Sequence, residues 1–280
     1  MAPRPYADGS PQVERTGCKA RVSPLTNLGV RARDHVGERP VASGATTEST
    51  VGPAVCDERA CFASVFRKDY LMRQIEMAGR VLAAIIAKAR SGQPMEALGM
   101  FDQAYQPLLG VGARLVPMMG DEQLLLMLKP GGVPDDNRWP AIVRLLVTEA
   151  DLYMEVDQPA EALARYRKAL MLLVELGGDK PAPDPEAAAV LAARLRGFHL
   201  GVAERADVAH VYEANGRFGD AEDTLFEGLD GDTADELTEA AIAFYRRLLD
   251  KDDSELEAGN LPRDEAEAGL AEVLARPPVP

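Results

Sequence analysis

Cysteine is nearly missing from this chain. Cys18, Cys56 and Cys61 are the only three in 280 residues, and none follows position 61. No disulfide framework can therefore hold the body together, and nothing after residue 61 depends on an oxidising compartment. Histidine is as scarce. His35 lies in a polar N-terminal stretch, and His199 and His210 are too far apart for the two-histidine helical spacing of a metal site. Cys56 and Cys61 have no second pair and no neighbouring histidine, so a zinc site is not indicated. Long apolar runs are missing too: no window approaches the roughly 18 consecutive apolar residues of a membrane span. After Arg4 no apolar segment precedes the prolines and glycines, so no signal peptide is read and a cytoplasmic location is expected. Basic charge is short: 31 Lys and Arg stand against 45 Asp and Glu. The deficit is uneven, with 8 basic against 7 acidic residues in 1–60, 23 against 38 in the rest, and 5 against 14 in 230–280. Such a body repels phosphate backbones and excludes a nucleic-acid partner.

Reactive constellations are lacking as well. Gly110-Val111-Gly112 and Gly131-Gly132 follow no strand, so they do not read as phosphate loops. EF-hand spacing is absent. Glu222-Asp223 and Asp252-Asp253 would be general acid/base candidates if they lined an apolar cleft, but in so acidic a chain they read as solvated helix faces. Arg73-Gln74-Ile75-Glu76 is either a docking surface or an ordinary solvent face with i,i+3 pairing. No catalytic residue, metal ligand or cofactor is assigned, and an enzyme is not expected.

What is present is enough apolar residue to fold, 46% hydrophobic against 27% charged. The exception is 1–64, rich in Pro, Gly, Ser, Thr and Arg and without period 3.6 or 2; it reads as a disordered arm. An alternative is that this arm reflects the choice of start site, with Val65 as the natural first residue. From 65 to 280 the chain reads as one all-α domain, with helices expected at about 69–91, 121–128, 141–156, 159–176, 186–197, 202–215, 218–229, 234–250 and 263–276. In the first of these, Leu71, Ile75, Ala78, Leu82, Ile85 and Ala89 form a 4-3-4-3-4 stripe that Met72, Val81 and Ile86 widen. A helix so broadly apolar must contact more than one neighbour, either within the fold or across a dimer seam.

The strongest signal is an internal repeat. QPMEALGMFDQAY returns as QPAEALARYRKAL and again as RFGDAEDTLFEGL. Ile85, Lys88, Ala97, Phe101 and Ala104 have the spacing of Ala150, Tyr153, Ala162, Tyr166 and Ala169, and of Ala209, Tyr212, Ala221, Leu225 and Gly228: steps of 3, 9, 4 and 3. Steps of three and four share a helix face, and the step of nine crosses a turn that carries Gly92, Asp157 or Gly216 at the same place. Pro94 and Pro159 suit first helical positions and Gly216 a left-handed helix end, so each copy reads as helix, tight turn, helix.

These residues resemble the tetratricopeptide repeat. The copy at 143–176 matches at every signature position, 202–235 has Leu225 for the second aromatic, and 78–111 has Ile85 and Lys88 for the first small and aromatic residues. The copies are 65 and 59 residues apart rather than 34, so a tightly stacked solenoid is not expected. The chain from Asp69 on is also similar to an uncharacterised family of bacterial all-helical proteins with tetratricopeptide-like hairpins, through DYLMRQIE at 69–76, AEDTLFE at 221–227 and LEAGNLPRDEAEAGLAEV at 256–273. That resemblance implies the fold and no chemistry.

The expected architecture is therefore all-α, tetratricopeptide-like hairpins with additional helices. Its expected role is binding an unidentified protein partner on a concave face lined by the first helix of each hairpin. The repeat register places Glu149, Arg205 and His210 on that face. The acidity implies a basic partner; no membrane partner is expected. Two alternatives stand: a structural homo-oligomer, such as a homodimer, through helix 69–91, and an enzyme or small-ligand sensor with an interhelical pocket.

Overall fold

The computed structural model describes residues 58–229 and 234–276, with side chains at 69–229 and 237–276. Its elements are α1 (Glu58–Arg90), α2 (Pro94–Leu98), α3 (Phe101–Leu109), α4 (Asp121–Leu128), α5 (Arg138–Glu155), α6 (Pro159–Leu172), α7 (Pro185–Arg196), α8 (Val202–Ala214), α9 (Phe218–Leu229), α10 (Ala234–Leu249), α11 (Asp253–Ala258) and α12 (Arg263–Ala275). Among the described residues there is no strand, as the all-α reading requires. Each helix packs chiefly on its sequence neighbours. α1 meets α2 and α3, α5 lies against α6, α8 against α9, and α10 against α12. Most of the expected arm, residues 1–57, lies outside the described residues.

Three of the turns are the same turn. Gly92, Asp157 and Gly216 all have positive φ, at 82°, 56° and 70°. In each case the next residue donates its N–H to the carbonyl five positions back: Gln93 to Lys88 at 3.3 Å, Gln158 to Tyr153 at 2.9 Å and Arg217 to Tyr212 at 2.9 Å. The positive-φ residue itself donates three back, Gly92 to Ala89, Asp157 to Met154 and Gly216 to Glu213. This is the two-bond Schellman end, and it reverses the chain so that the following helix returns antiparallel. A fourth, at Asn260 (φ 59°), closes α11 with Leu261 donating to Leu256 at 3.0 Å.

The repeated small and bulky positions form the core of each hairpin. Ala97, Ala162 and Ala221 are fully buried, as are Phe101 and Tyr166, with Leu225 nearly so. A small residue there lets the two helices approach; an aromatic one turn later fills the space they leave. Lys88 and Tyr153 are the only half-exposed signature positions.

Several boundaries differ from expectation. α1 starts at Glu58, not at 69, and thus includes the end of the expected arm. The second helix of the first copy is broken at Gly99-Met100 into α2 and α3, and Pro107 sits inside α3. α6 ends in a wider π-type turn, Leu173–Gly177, and the short α11 was not expected. The extra residues between copies are ordered structure. Arg138 anchors the first insertion by donating to the carbonyls of Leu108, at the end of α3, and Met127, at the end of α4. Lys168 holds the start of α4 through the Met119 carbonyl and an ion pair to Asp121. The second insertion supplies α7, which packs on α6 and α8.

Candidate binding groove

α1, α5 and α7 together bound an open groove of about 800 Å³. Its α1 side is built from Ile75, Leu82 and Ile86, its α5 side from Val143 and Val147, and its α7 side from Ala187 and Val190. The broad apolar circumference of α1 now has its reason: one flank packs on α2 and α3, the other lines the groove. α5 packs against α1 and is tied to the opposite wall by Arg144, which donates to the Asp184 carboxylate at 2.7 Å. Asp184 is also the N-cap of α7, accepting from the Ala187 N–H at 3.1 Å. That backbone bond first, and the Arg144 guanidinium next, hold its carboxyl below the usual carboxylate range. Arg144, Asp184 and Glu186 are the charged residues of the lining, Asn137 and Thr148 add polar side chains, and most of the rest is apolar.

The register residues named from sequence do not meet in this groove. Glu149 faces the other way, into the core, 1% exposed. Its Oε1 lies 2.7 Å from Arg165 Nε, and its Oε2 accepts from the Tyr105 hydroxyl at 3.0 Å. Arg165 is itself buried under the Tyr153 ring, 4.1 Å from its centroid, and donates to the Glu161 carboxylate and carbonyl at 2.7 and 3.0 Å. Burial pushes the Glu149 carboxyl up, with Arg165 pulling against it, and pushes the Tyr105 phenol well up. This cluster joins α3, α5 and α6; an acidic residue on an otherwise apolar face was the available sign that Glu149 points inward. Arg205 lies on α8 against α9, donating to the Thr224 carbonyl at 3.3 Å and pairing with Glu227 at 3.5 Å. His210 Nε2 is 3.2 Å from the Gly178 carbonyl, on the loop after α6. Neither lines the groove, whose third wall is α7. Val147 and Thr148, the two residues before Glu149, line it.

The other singled-out residues are scattered. His199 is exposed. Asp252 caps α11 by accepting from the Glu255 N–H at 2.8 Å, and Asp253 pairs with Arg263. Glu222 accepts from the Tyr245 hydroxyl, and burial raises its carboxyl. Arg73 and Glu76 are exposed on α1. Gly110 is the left-handed end of α3, and Gly131-Gly132 sit in a single helical turn after α4. Cys18, Cys56 and His35 lie outside the described residues. Among the described residues no group of three or more His, Cys, Asp or Glu is placed to hold a metal ion, and no helix is long and apolar enough to cross a membrane.

A family model described as a family of unknown function, DUF6483, matches residues 65–276, most of the described structure. The chain belongs to that family. No curated protein and no solved structure matches it. In this member the groove walls, the buried Glu149–Arg165 pair and all four Schellman turns fall inside the matched range.

Proposed function

We propose that the protein is a non-enzymatic protein-interaction module whose α1/α5/α7 groove receives one amphipathic helix. The observation that carries this is the groove itself: mostly apolar in its lining, with Arg144, Asp184 and Glu186 as its charged residues, and bounded by three helices. Its α5 wall runs from Asn137 to Thr148, about 17 Å at 1.5 Å per residue, which is three helical turns. Helix-in-groove recognition uses anchors at i, i+3/i+4 and i+7 over that length. The first helices of two repeat copies, α1 and α5, both contribute, as the tetratricopeptide-like reading would have it. From 78 to 280 the chain has 20 basic against 36 acidic residues, so a ligand helix flanked by Lys and Arg is favoured and its association slows as salt rises.

The test is site-specific photo-crosslinking in the producing cell. A photoreactive residue at Val190 or Ala83 should give a protein adduct, and one at Met118 or Leu126, exposed and outside the groove, should give none. No adduct from either groove position, or equal yield at the outside positions, removes this reading. The volume alone also suits a second reading, a sensor of a small apolar ligand, since such pockets span roughly 300–1,000 Å³. A thermal-shift panel of apolar metabolites that leaves the melting temperature unchanged rejects it.

A further inference from the structure

Nothing inside this chain requires glycine at position 79. Gly79 lies within α1, next to buried Ala78, where a helical glycine costs stability relative to alanine. Its φ is not positive, and a methyl group there would meet no atom within 4 Å, so no neighbour forbids a larger residue. The residue is exposed and belongs to the groove lining, as does Ala83 one helical turn later. A spacing of four puts both on one face of α1. Glycine facing open space suits the close approach of another backbone. Small residues one turn apart let a second helix come to about 8 Å, the short end of usual interaxial distances.

An occupant of such a wall must bring the bulk itself. Ala187 of α7 and Ala141 of α5 are small as well, while Ile75, Ile86 and Val190 stand beside them. Large side chains three or four apart on an incoming helix seat over the small positions and between the large ones. Charge narrows the choice further. Arg144 and Asp184 pair with each other at 2.7 Å, and Asp184 also caps α7. Glu186, in the first turn of α7, is exposed and makes no ion pair or hydrogen bond among the described residues. The unbalanced charge of the lining is therefore one carboxylate, in a chain with 20 basic against 36 acidic residues over 78–280. A second copy of so acidic a body is repelled, and an acidic or neutral helix leaves Glu186 unpaired. Resting on the groove reading above, we infer that the occupant is a basic helix of a different protein, packed closely across Gly79 and Ala83, with its bulky residues in the groove and a Lys or Arg on Glu186.

A displayed library of random peptides about 15 residues long, four helical turns, is panned on the full chain, and the enriched peptides are measured again on two variants. Gly79→Leu fills the groove where there is open space, so its helical circular dichroism and melting temperature should equal or exceed those of wild type. Enriched sequences should carry large apolar residues at i, i+3 or i+4 and i+7, with a Lys or Arg at a fixed offset from them. They should bind Gly79→Leu about ten-fold or more weakly. Panning on Glu186→Lys should replace the basic position with Asp or Glu. Peptides that need Gly79 but have no fixed basic position, or keep it on Glu186→Lys, overturn the inference and leave the groove reading in place. A wild type that light scattering shows to be a dimer, with Gly79→Leu a monomer, also overturns the inference, because the occupant is then a second copy. Enriched peptides indifferent to Gly79→Leu, or no enrichment, overturn both.

Discussion

Replacing Arg165 with Met is the most demanding test of how the centre of the fold is held. Arg165 and Glu149 are each 2% exposed at the side chain, and among the described residues the guanidinium is the cation paired with the Glu149 carboxylate. Met keeps much of the buried volume and removes the charge. What is left is a carboxyl in a nearly dry site with one hydrogen bond, from Tyr105. Breaking a buried pair in this way costs about 3–5 kcal/mol, far more than the ~0–1 kcal/mol of an exposed pair. The pH dependence gives the sharper signature. Burial already raises the Glu149 carboxyl in the native chain, and Arg165 opposes that rise. With Arg165 gone the folded-state pKa climbs further above the unfolded value of about 4.3. A carboxyl raised on folding contributes its full stability below the unfolded pKa and loses it as pH climbs through the folded pKa. The variant's deficit relative to wild type should therefore grow between pH 5 and 8, by up to about 1.4 kcal/mol per unit until Glu149 ionises. Urea denaturation at several pH values, read by circular dichroism, measures this directly. Adding Glu149→Gln to Arg165→Met should recover much of the loss and flatten the pH dependence. A deficit below about 1 kcal/mol, or one independent of pH in that range, would show that the pair does not hold α5 to α6.

The repeat register predicts that Ala162→Leu, at a fully buried helix crossing, lowers stability by about 1–3 kcal/mol in chemical denaturation, and an unchanged midpoint would dismiss it. Gly216 has φ 70° with open space around its Cα, so Gly216→Ala should cost about 1–2 kcal/mol from backbone strain alone. Asp157→Gly at the equivalent turn should instead be neutral or stabilise by up to about 1 kcal/mol, and equal losses at both sites would contradict the shared left-handed geometry. Tyr105, Tyr153, Tyr166, Tyr212 and Tyr245 all have phenols raised, by burial first. Their contribution is whole below the unfolded value of about 10 and is lost as pH climbs above it, so, beyond the absorbance of exposed Tyr70 and of Tyr6, tyrosinate should rise together with loss of helix; tyrosinate from more than these two in a still fully helical protein would refute their burial.

The sequence by itself determined the hairpins. The signature positions and turn residues are local, lying within about thirty residues of one another, and their spacing is dictated by the 3.6-residue helical turn and by which residues tolerate positive φ. Ala162 and Tyr166 in the core, the Gly92/Asp157/Gly216 turns and the all-helical class were legible for that reason. The boundary of α5 was less so, because polar and aromatic residues such as Arg138 and Trp139 enter helices when tertiary contacts hold them. Only the tertiary structure decided the groove. Its α7 wall comes from an insertion, Pro185–Arg196, whose alanine-rich sequence suits a helix anywhere, and nothing local says that it lines a groove with α1 and α5. The same reason turned Glu149 inward: a carboxylate's preference for water was overridden by Arg165 and Tyr105, which come from α6 and α3 and are brought to it only by the fold.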